Sequence, residues 1–241
     1  MARLRRLYVP GVPAHIWVRG NNRNAIFRSE GDRIYFHRCL VDVTRRSGVA
    51  VHAYVFMTNH IHLLATGERA DSLAKAVQCM GRRYVSYFNY LYERTGTLWE
   101  GRFRSCPVET ERYFFVCHRY VELNPVRADM VGDPGLHQWS SYHCNALGGK
   151  DDLVTPHSLY MELGLTELER REAYRRLFGS ELDAATLAAI RHSGAKGWAL
   201  GGKEFCEFLE AQAGRPAVRR KGGRPRRVEV PAITQKPLEL T

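Results

Sequence analysis

Several large classes of protein are excluded by what this chain does not contain. No apolar stretch in its 241 residues approaches the ~18 residues that a membrane span needs. No two of the six cysteines, Cys39, Cys79, Cys106, Cys117, Cys144 and Cys206, stand in Cys-x-x-Cys spacing. That argues against a zinc ribbon and for reduced, buried thiols. There is no Gly-x-x-x-x-Gly-Lys phosphate loop. Nor is there a Gly-Phe-Gly-Phe strand of the kind on which RNA bases stack. The opening Met1-Ala2-Arg3-Leu4-Arg5-Arg6 is charged, but no apolar run follows it. It does not read as a secretory signal, and the cytoplasm is the expected compartment. Acid is the scarce charge: 25 Asp and Glu stand against 36 Lys and Arg, a net charge of +11. Such a balance suits a polyanion, most often nucleic acid, though an acidic membrane surface would also serve; with no spanning segment, no membrane partner is expected.

What remains is an ordinary globular composition, 44% hydrophobic and 25% charged. The positive charge is concentrated. Arg215, Arg219, Arg220, Lys221, Arg224, Arg226 and Arg227 supply seven of the eleven net charges with no acid among them. Gly214, Pro216, Gly222, Gly223 and Pro225 break helices and strands in the same stretch. Residues 214–241 therefore read as a flexible basic tail.

Upstream, strand-like and helix-like runs alternate. His15 to Arg19 reads as a strand ending at Gly20, with Asn21-Asn22 as turn chemistry. Glu30 to Ser47 has helical spacing and stops at Gly48. Val49 to Met57 and His60 to Thr66 form a hairpin about Thr58-Asn59. Asp71 or Ser72 can cap a long helix to about Glu93. Phe103 to Val108 is a fourth strand, and Pro107 marks it as an edge. Thr110 caps a further helix that must end by Asn124, because Pro125 restricts the residue before it. The order β, α, β, β, α, β, α predicts an α+β fold, a ferredoxin-like antiparallel sheet with two helices on one face and one extra helix. Residues 1–149 form that unit. Pro156 to Phe178, Leu182 to His192 and Lys203 to Ala213 read as helices, the last two separated by Gly194 and Gly197. Residues 150–213 are thus a helical appendage with no chemistry of their own.

Three local features could carry chemistry. In Asn59-His60-Ile61-His62, the histidines at i and i+2 of a strand share a face. Two such imidazoles can hold a divalent metal if a third ligand approaches. On spacing alone, polar residues on a half-exposed sheet is the simpler reading. In Tyr120-Val121-Glu122-Leu123-Asn124-Pro125-Val126-Arg127-Ala128, Tyr120 and Asn124 lie four apart and share a helix face. With twelve tyrosines in the chain, Tyr84, Tyr87 and Tyr113 are equally good by local pattern. The third feature mixes basic and aromatic residues: Arg82 and Arg83 on the long helix, then Trp99, Arg102 and Arg104. These, with Arg219, Arg220, Lys221, Arg224, Arg226 and Arg227 of the tail, suit phosphate pairing and base stacking on a single strand. A solvated charged loop reads as well.

Together, Met57-Thr58-Asn59-His60-Ile61-His62-Leu63-Leu64 and the Tyr120–Ala128 run resemble the single-tyrosine HUH transposases. Within those, the chain resembles the REP-associated tyrosine transposases. Val12-Pro13-Ala14-His15, Arg19-Gly20-Asn21-Asn22-Arg23, Gly81-Arg82-Arg83-Tyr84, Gly96 to Arg102 and Trp139-Ser140-Ser141-Tyr142 extend the resemblance over nearly the whole chain.

The resemblance implies that His60 and His62 hold a divalent metal, Mg²⁺ or Mn²⁺, with Asn124 completing the site. It implies that Tyr120 is the nucleophile and that the substrate is single-stranded DNA folded into repetitive-extragenic-palindrome hairpins. A phenol with a reference pKa near 10 is a weak nucleophile at neutral pH, so metal activation makes chemical sense. Attack would leave a 5′-phosphotyrosine and a free 3′-OH. One tyrosine per chain makes one cleavage at a time, so the working unit is a monomer used sequentially or a homodimer. The alternative is a catalytically silent regulator that binds hairpin DNA or RNA on the same fold.

Overall fold

The structure is a computed structural model in which residues 5–219 are described. The expected ferredoxin-like sheet is present. Its four strands are β1 (Ala14–Arg19), β2 (Val49–Phe56), β3 (His60–Gly67) and β4 (Arg104–Pro107), all antiparallel, in the order β2-β3-β1-β4. β3 and β1 are central, and the Pro107 strand is at an edge. Pro107 has no N–H to donate, but its carbonyl accepts from Leu200 N at 2.8 Å. The β2 edge is covered too: Phe56 N donates to Trp139 O at 2.9 Å and Thr155 N to Val51 O at 2.7 Å.

Two helices lie on one face, α1 (Glu30–Ser47) and α2 (Ser72–Leu91). α1 ends at Gly48 because Gly48 takes φ 61°, and a capping box between Ser29 and Asp32 starts it. Phe36, Leu40, Val77, Met80, Tyr84 and Phe88 from these helices bury Ile16, Val18, Ile61, Leu63 and Ala65 of the sheet. Asp71 occupies the N-cap of α2 but makes no capping bond; it pairs with Lys75 at 2.6 Å instead. Likewise α3 (Thr110–Glu122) begins at Thr110 with Glu109 at the cap and no side-chain bond.

The opposite face is not bare. After the short α4 (Asn124–Arg127) and α5 (Tyr142–Asn145) come α6 (Ser158–Met161), α7 (Glu167–Arg176), α8 (Ala184–Lys196) and α9 (Lys203–Ala213). Phe114, Cys117, Tyr120 and Val121 of α3, with Ile190 of α8, pack on Ala53, Val55, Leu64 and Val108. Two expectations for this region are corrected. The helix read from Pro156 to Phe178 is broken at Gly164, because Thr166 and Glu169 form a capping box that starts a new helix. Gly194 does not separate helices; it lies inside α8, which ends at Gly197 with φ 70°. A Cβ at Gly194 would stand 3.4 Å from Trp17 Nε1, so the glycine lets α8 lie close against β1. Beyond Gly214 the chain stays packed for a few residues: Ala217 is buried and its N–H donates to Glu210 at 2.8 Å.

Candidate active site

Strand register assembles the site. Because β1 runs antiparallel to β3, Trp17 stands opposite His62 and Arg19 opposite His60. His15, Trp17, Arg19, His60 and His62 therefore share the face that α3 and α8 cover. From α3, the Tyr120 ring stands edge-on to His62 (centroids 5.8 Å, 86°) and to His15 (5.4 Å, 76°). The His60 and His62 rings are 5.1 Å apart at 85°. These residues line one cleft of about 380 Å³ with Asn124 and with Arg191, Gly194 and Ala195 of α8.

The hydrogen bonds within the cleft are few and directed. His60 Nδ1 meets Asn59 Oδ1 at 2.6 Å, and His62 Nδ1 meets His15 Nε2 at 2.8 Å. The amide nitrogen of Asn124 donates to the Tyr120 carbonyl at 3.2 Å, which leaves its Oδ1 for another partner. Arg127 also donates to the Tyr120 carbonyl, and its guanidinium carbon lies 4.5 Å from the Tyr120 ring centroid. Its Nη1 is buried with no hydrogen-bond partner. Burial pushes Arg127 down to about 10. Burial also lowers His15 to about 4, helped by Arg127, and His60 to about 4, helped by Arg19. His62 is held well below the usual imidazole range by burial and by His15, His60 and Arg127. All three imidazoles are thus neutral near pH 7, the form that binds a metal.

Among the described residues, no three His, Cys, Asp or Glu side chains are placed to hold a metal ion. His60 and His62 with the Asn124 side-chain oxygen would offer an N,N,O donor set from one cleft. The imidazoles suit first-row divalent ions generally, and the amide oxygen, with water and phosphate oxygens completing the shell, suits the harder Mg²⁺ and Mn²⁺. The residues present fit a divalent cation on those terms.

His60, His62, Tyr120 and Asn124 are brought together; the cationic candidates lie outside that cleft, and Arg82, Trp99 and Arg102 line a separate groove beside α2. Arg82 and Arg83 project from α2, on the far side of the sheet, and Arg83 is paired with Asp42. Trp99 is half-buried against Tyr84 and Phe36. Arg102 and Arg104 lie at the β4 edge. There, with Arg5, Arg6, Lys196 and Arg215, they line a recess without an acid that adjoins the cleft at Gly194 and Ala195. Arg104 donates to Ala195 O at 2.6 Å and sits 5.2 Å from the Trp17 ring centroid. Arg219 is exposed, and Arg220, Lys221, Arg224, Arg226 and Arg227 lie outside the described residues. Sequence reasoning did not pick out His15, Trp17, Arg127 and Arg191 as site residues. The i, i+2 spacing of His15 and Trp17 was visible in β1, but only the β1–β3 pairing sets it beside His62.

Residues 8–124 match the family described as "Transposase IS200 like". Over those residues, a little under half of the chain, it is similar to the IS200-like transposases. Members of that family act on DNA. Among solved structures, a REP-associated tyrosine transposase bound to a REP hairpin is similar at 18% identity and TM-score 0.50, over 65% of this chain and 93% of that one. A Deinococcus radiodurans R1 protein, described as a candidate transposase, is 22% identical with TM-score 0.36 over 50% of this chain and 96% of its own. None of the curated proteins matches the chain. No helix among the described residues is long and apolar enough to cross a membrane.

Proposed function

We propose that this protein is a transposase that cleaves and rejoins single-stranded DNA through a covalent tyrosine intermediate at Tyr120. The observation that carries the reading is the position of the Tyr120 ring. Of the twelve tyrosines, it is the one that lines the cleft holding both histidines and Asn124. His60, His62 and Asn124 would hold a divalent cation, which when bound polarises the scissile phosphate as a Lewis acid. The Tyr120 oxygen attacks phosphorus and gives up its proton. The P–O3′ bond breaks, and the departing oxygen gains a proton as a 3′-OH. The 5′-phosphotyrosine keeps the bond energy, so a second 3′-OH can reverse the step without a nucleotide triphosphate. Arg127, half-buried with no salt-bridge partner among the described residues, fixes the backbone and ring of Tyr120 and adds positive potential to the cleft. Hairpin DNA of the kind bound by the REP-associated relative suits the basic recess at the β4 edge, whose arginines and Lys196 would contact phosphates.

The test is incubation with labelled single-stranded hairpin DNA and Mn²⁺. Wild type should give a covalent protein–DNA band that Tyr120→Phe abolishes while hairpin affinity stays within about threefold. Tyr113→Phe and Tyr84→Phe should keep the band. Binding without any band would favour the silent regulator; a band that survives Tyr120→Phe would remove Tyr120 from the reaction.

A further inference from the structure

We propose that Asn59 and His15 are positioning residues, each accepting the Nδ1 proton of one cleft histidine so that the Nε2 lone pairs of both His60 and His62 are left for a divalent ion. The inference rests on the metal reading above and adds to it which nitrogen of each ring binds and what sets that choice.

For His60 the heavy atoms alone decide the tautomer. Asn59 Nδ2 donates to Arg23 O at 2.9 Å. A carbonyl can only accept, so the amide must present its nitrogen to Arg23 and its oxygen to the ring. His60 Nδ1, 2.6 Å from that oxygen, must then carry the hydrogen. The Asn59 backbone is held as well, since its carbonyl accepts from Gly20 N at 2.8 Å. The Arg23 carbonyl is aimed by an unusual loop, in which Asn22 and Arg23 take φ 51° and 57° in succession. Non-glycine residues seldom adopt that region, and an observed outlier of this kind points to a function. The Arg19-Gly20-Asn21-Asn22-Arg23 and Asn59-His60 motifs thus become one device: a left-handed turn that orients an amide that orients a ring.

For His62 the partner is an imidazole. His15 Nε2 lies 2.8 Å from His62 Nδ1, and one of the two atoms must donate. A neutral imidazole has one N–H, so His62 offers Nε2 to a cation only when its own Nδ1 is the donor. His15 is then the acceptor and carries its hydrogen on Nδ1. That atom is buried with no hydrogen-bond partner in the structure. The near-parallel stacking of the rings, 13° apart, keeps the two in line. Histidine ligands generally donate their second N–H to an acceptor, and loss of that acceptor weakens metal binding about 10- to 100-fold.

The test uses full-length protein in a Tyr120→Phe background, so that no chemistry intrudes. Mn²⁺ affinity is read by electron paramagnetic resonance, and the protonated nitrogen of each ring by NMR of ¹⁵N-histidine protein without metal. His15→Phe keeps the ring but has no acceptor; its Mn²⁺ affinity should fall about 10- to 100-fold. His15→Gln supplies an acceptor oxygen and should bind within about threefold of the parent. Asn59→Ala should weaken Mn²⁺ binding in the same range. In the metal-free parent, both His60 and His62 should carry the proton on Nδ1. Equal Mn²⁺ affinity in the parent and in His15→Phe, or a proton on Nε2 of His62 in the metal-free parent, overturns the role of His15. A parent that binds no Mn²⁺ yet shows the Nδ1 protons overturns the metal reading and leaves the tautomer assignment standing.

Discussion

Along β1 and β3 the side chains alternate between two environments. Ile16, Val18, Ile61 and Leu63 point to α1 and α2; His15, Trp17, His60 and His62 point to α3 and α8. The first side is closed by rings and aliphatic chains that ask only to be dry. Phe36, Phe56 and Tyr84 meet edge to face there, and the Tyr84 hydroxyl donates to Ile26 O at 2.5 Å. The second side buries imidazoles that lose solvation and regain little: His15 Nδ1 and Arg127 Nη1 have no hydrogen-bond partner. One sheet thus separates two purposes by residue parity. Its apolar side supplies the burial that folds the chain. The rigid strands then hold titratable groups in place on the other side, where a stability-optimised sequence would put leucine.

The largest effects should separate these sides. Phe36 is fully buried, and Phe36→Ala should cost about 3–5 kcal/mol of unfolding free energy in urea. His62→Ala leaves one acceptor unpaired, at about 1–2 kcal/mol, yet should abolish Mn²⁺-dependent adduct formation. Adduct formation by folded Phe36→Ala protein at 15 °C should remain within about tenfold of wild type. If His62→Ala unfolds the protein as readily as Phe36→Ala, the histidine side is structural and the contrast is lost.

Smaller and of mixed sign are the pH effects of buried groups away from the cleft. Burial lowers His52 to about 4 in the fold, against an ordinary value of 6.5. The unfolded chain therefore takes up this proton first. The contribution is complete above pH 6.5 and is lost as pH falls to about 4, about 3 kcal/mol at most. Glu122 has the opposite sign. On the side of α3 away from Tyr120, it is fully buried and accepts from Ser141 Oγ (2.6 Å), Asn145 Nδ2 (3.0 Å) and Tyr174 OH (2.7 Å). Burial outweighs these bonds and raises it from 4.5 to about 7. The unfolded chain ionises first, so stability falls as pH rises from about 4.5 to 7. Glu122→Gln removes that loss. Its unfolding free energy relative to wild type should rise by about 3 kcal/mol between pH 4.5 and 8. A difference independent of pH would show that Glu122 is not the titrating group.

Much of this architecture could be read from the chain. Gly48 after a helical run, Pro107 in a short strand and Pro125 after Glu122 are local signals, and each marks an element boundary. The i, i+2 histidines and the Tyr120–Asn124 spacing are local too, and the fold sets both in one cleft. What escaped is set by tertiary pairing. His15 acquires its partner through strand register, forty-seven residues away in sequence. Gly194 looked like a helix breaker, since glycine is a poor helix former, but packing against Trp17 overrides that propensity. The C-terminal helices lack any catalytic motif, yet α8 forms one wall of the cleft, which no local pattern in residues 184–196 announces.

The smallest effect tests that wall. Gly194 lies within α8, where glycine is about 0.5–1 kcal/mol worse than alanine. Its φ is not in the left-handed region, so alanine meets no backbone strain. The added methyl would lie 3.4 Å from Trp17 Nε1 and 3.9 Å from His15 Nδ1. The first contact is tight, but Trp17 is only half-buried and can yield by a few tenths of an ångström. Helix propensity should therefore win: Gly194→Ala should gain about 0.5 kcal/mol, read as a rise of one or two degrees in Tm. The same methyl narrows the cleft beside His15 and Trp17, so adduct formation should slow about two- to threefold with Mn²⁺ affinity unchanged. Gly194→Val is the sharper form, since a branched side chain cannot clear the indole; it should lose both stability and adduct. If Gly194→Ala destabilises the protein, the indole is locked by its neighbours, and α8 is held against β1 more rigidly than the half-exposed Trp17 ring suggests.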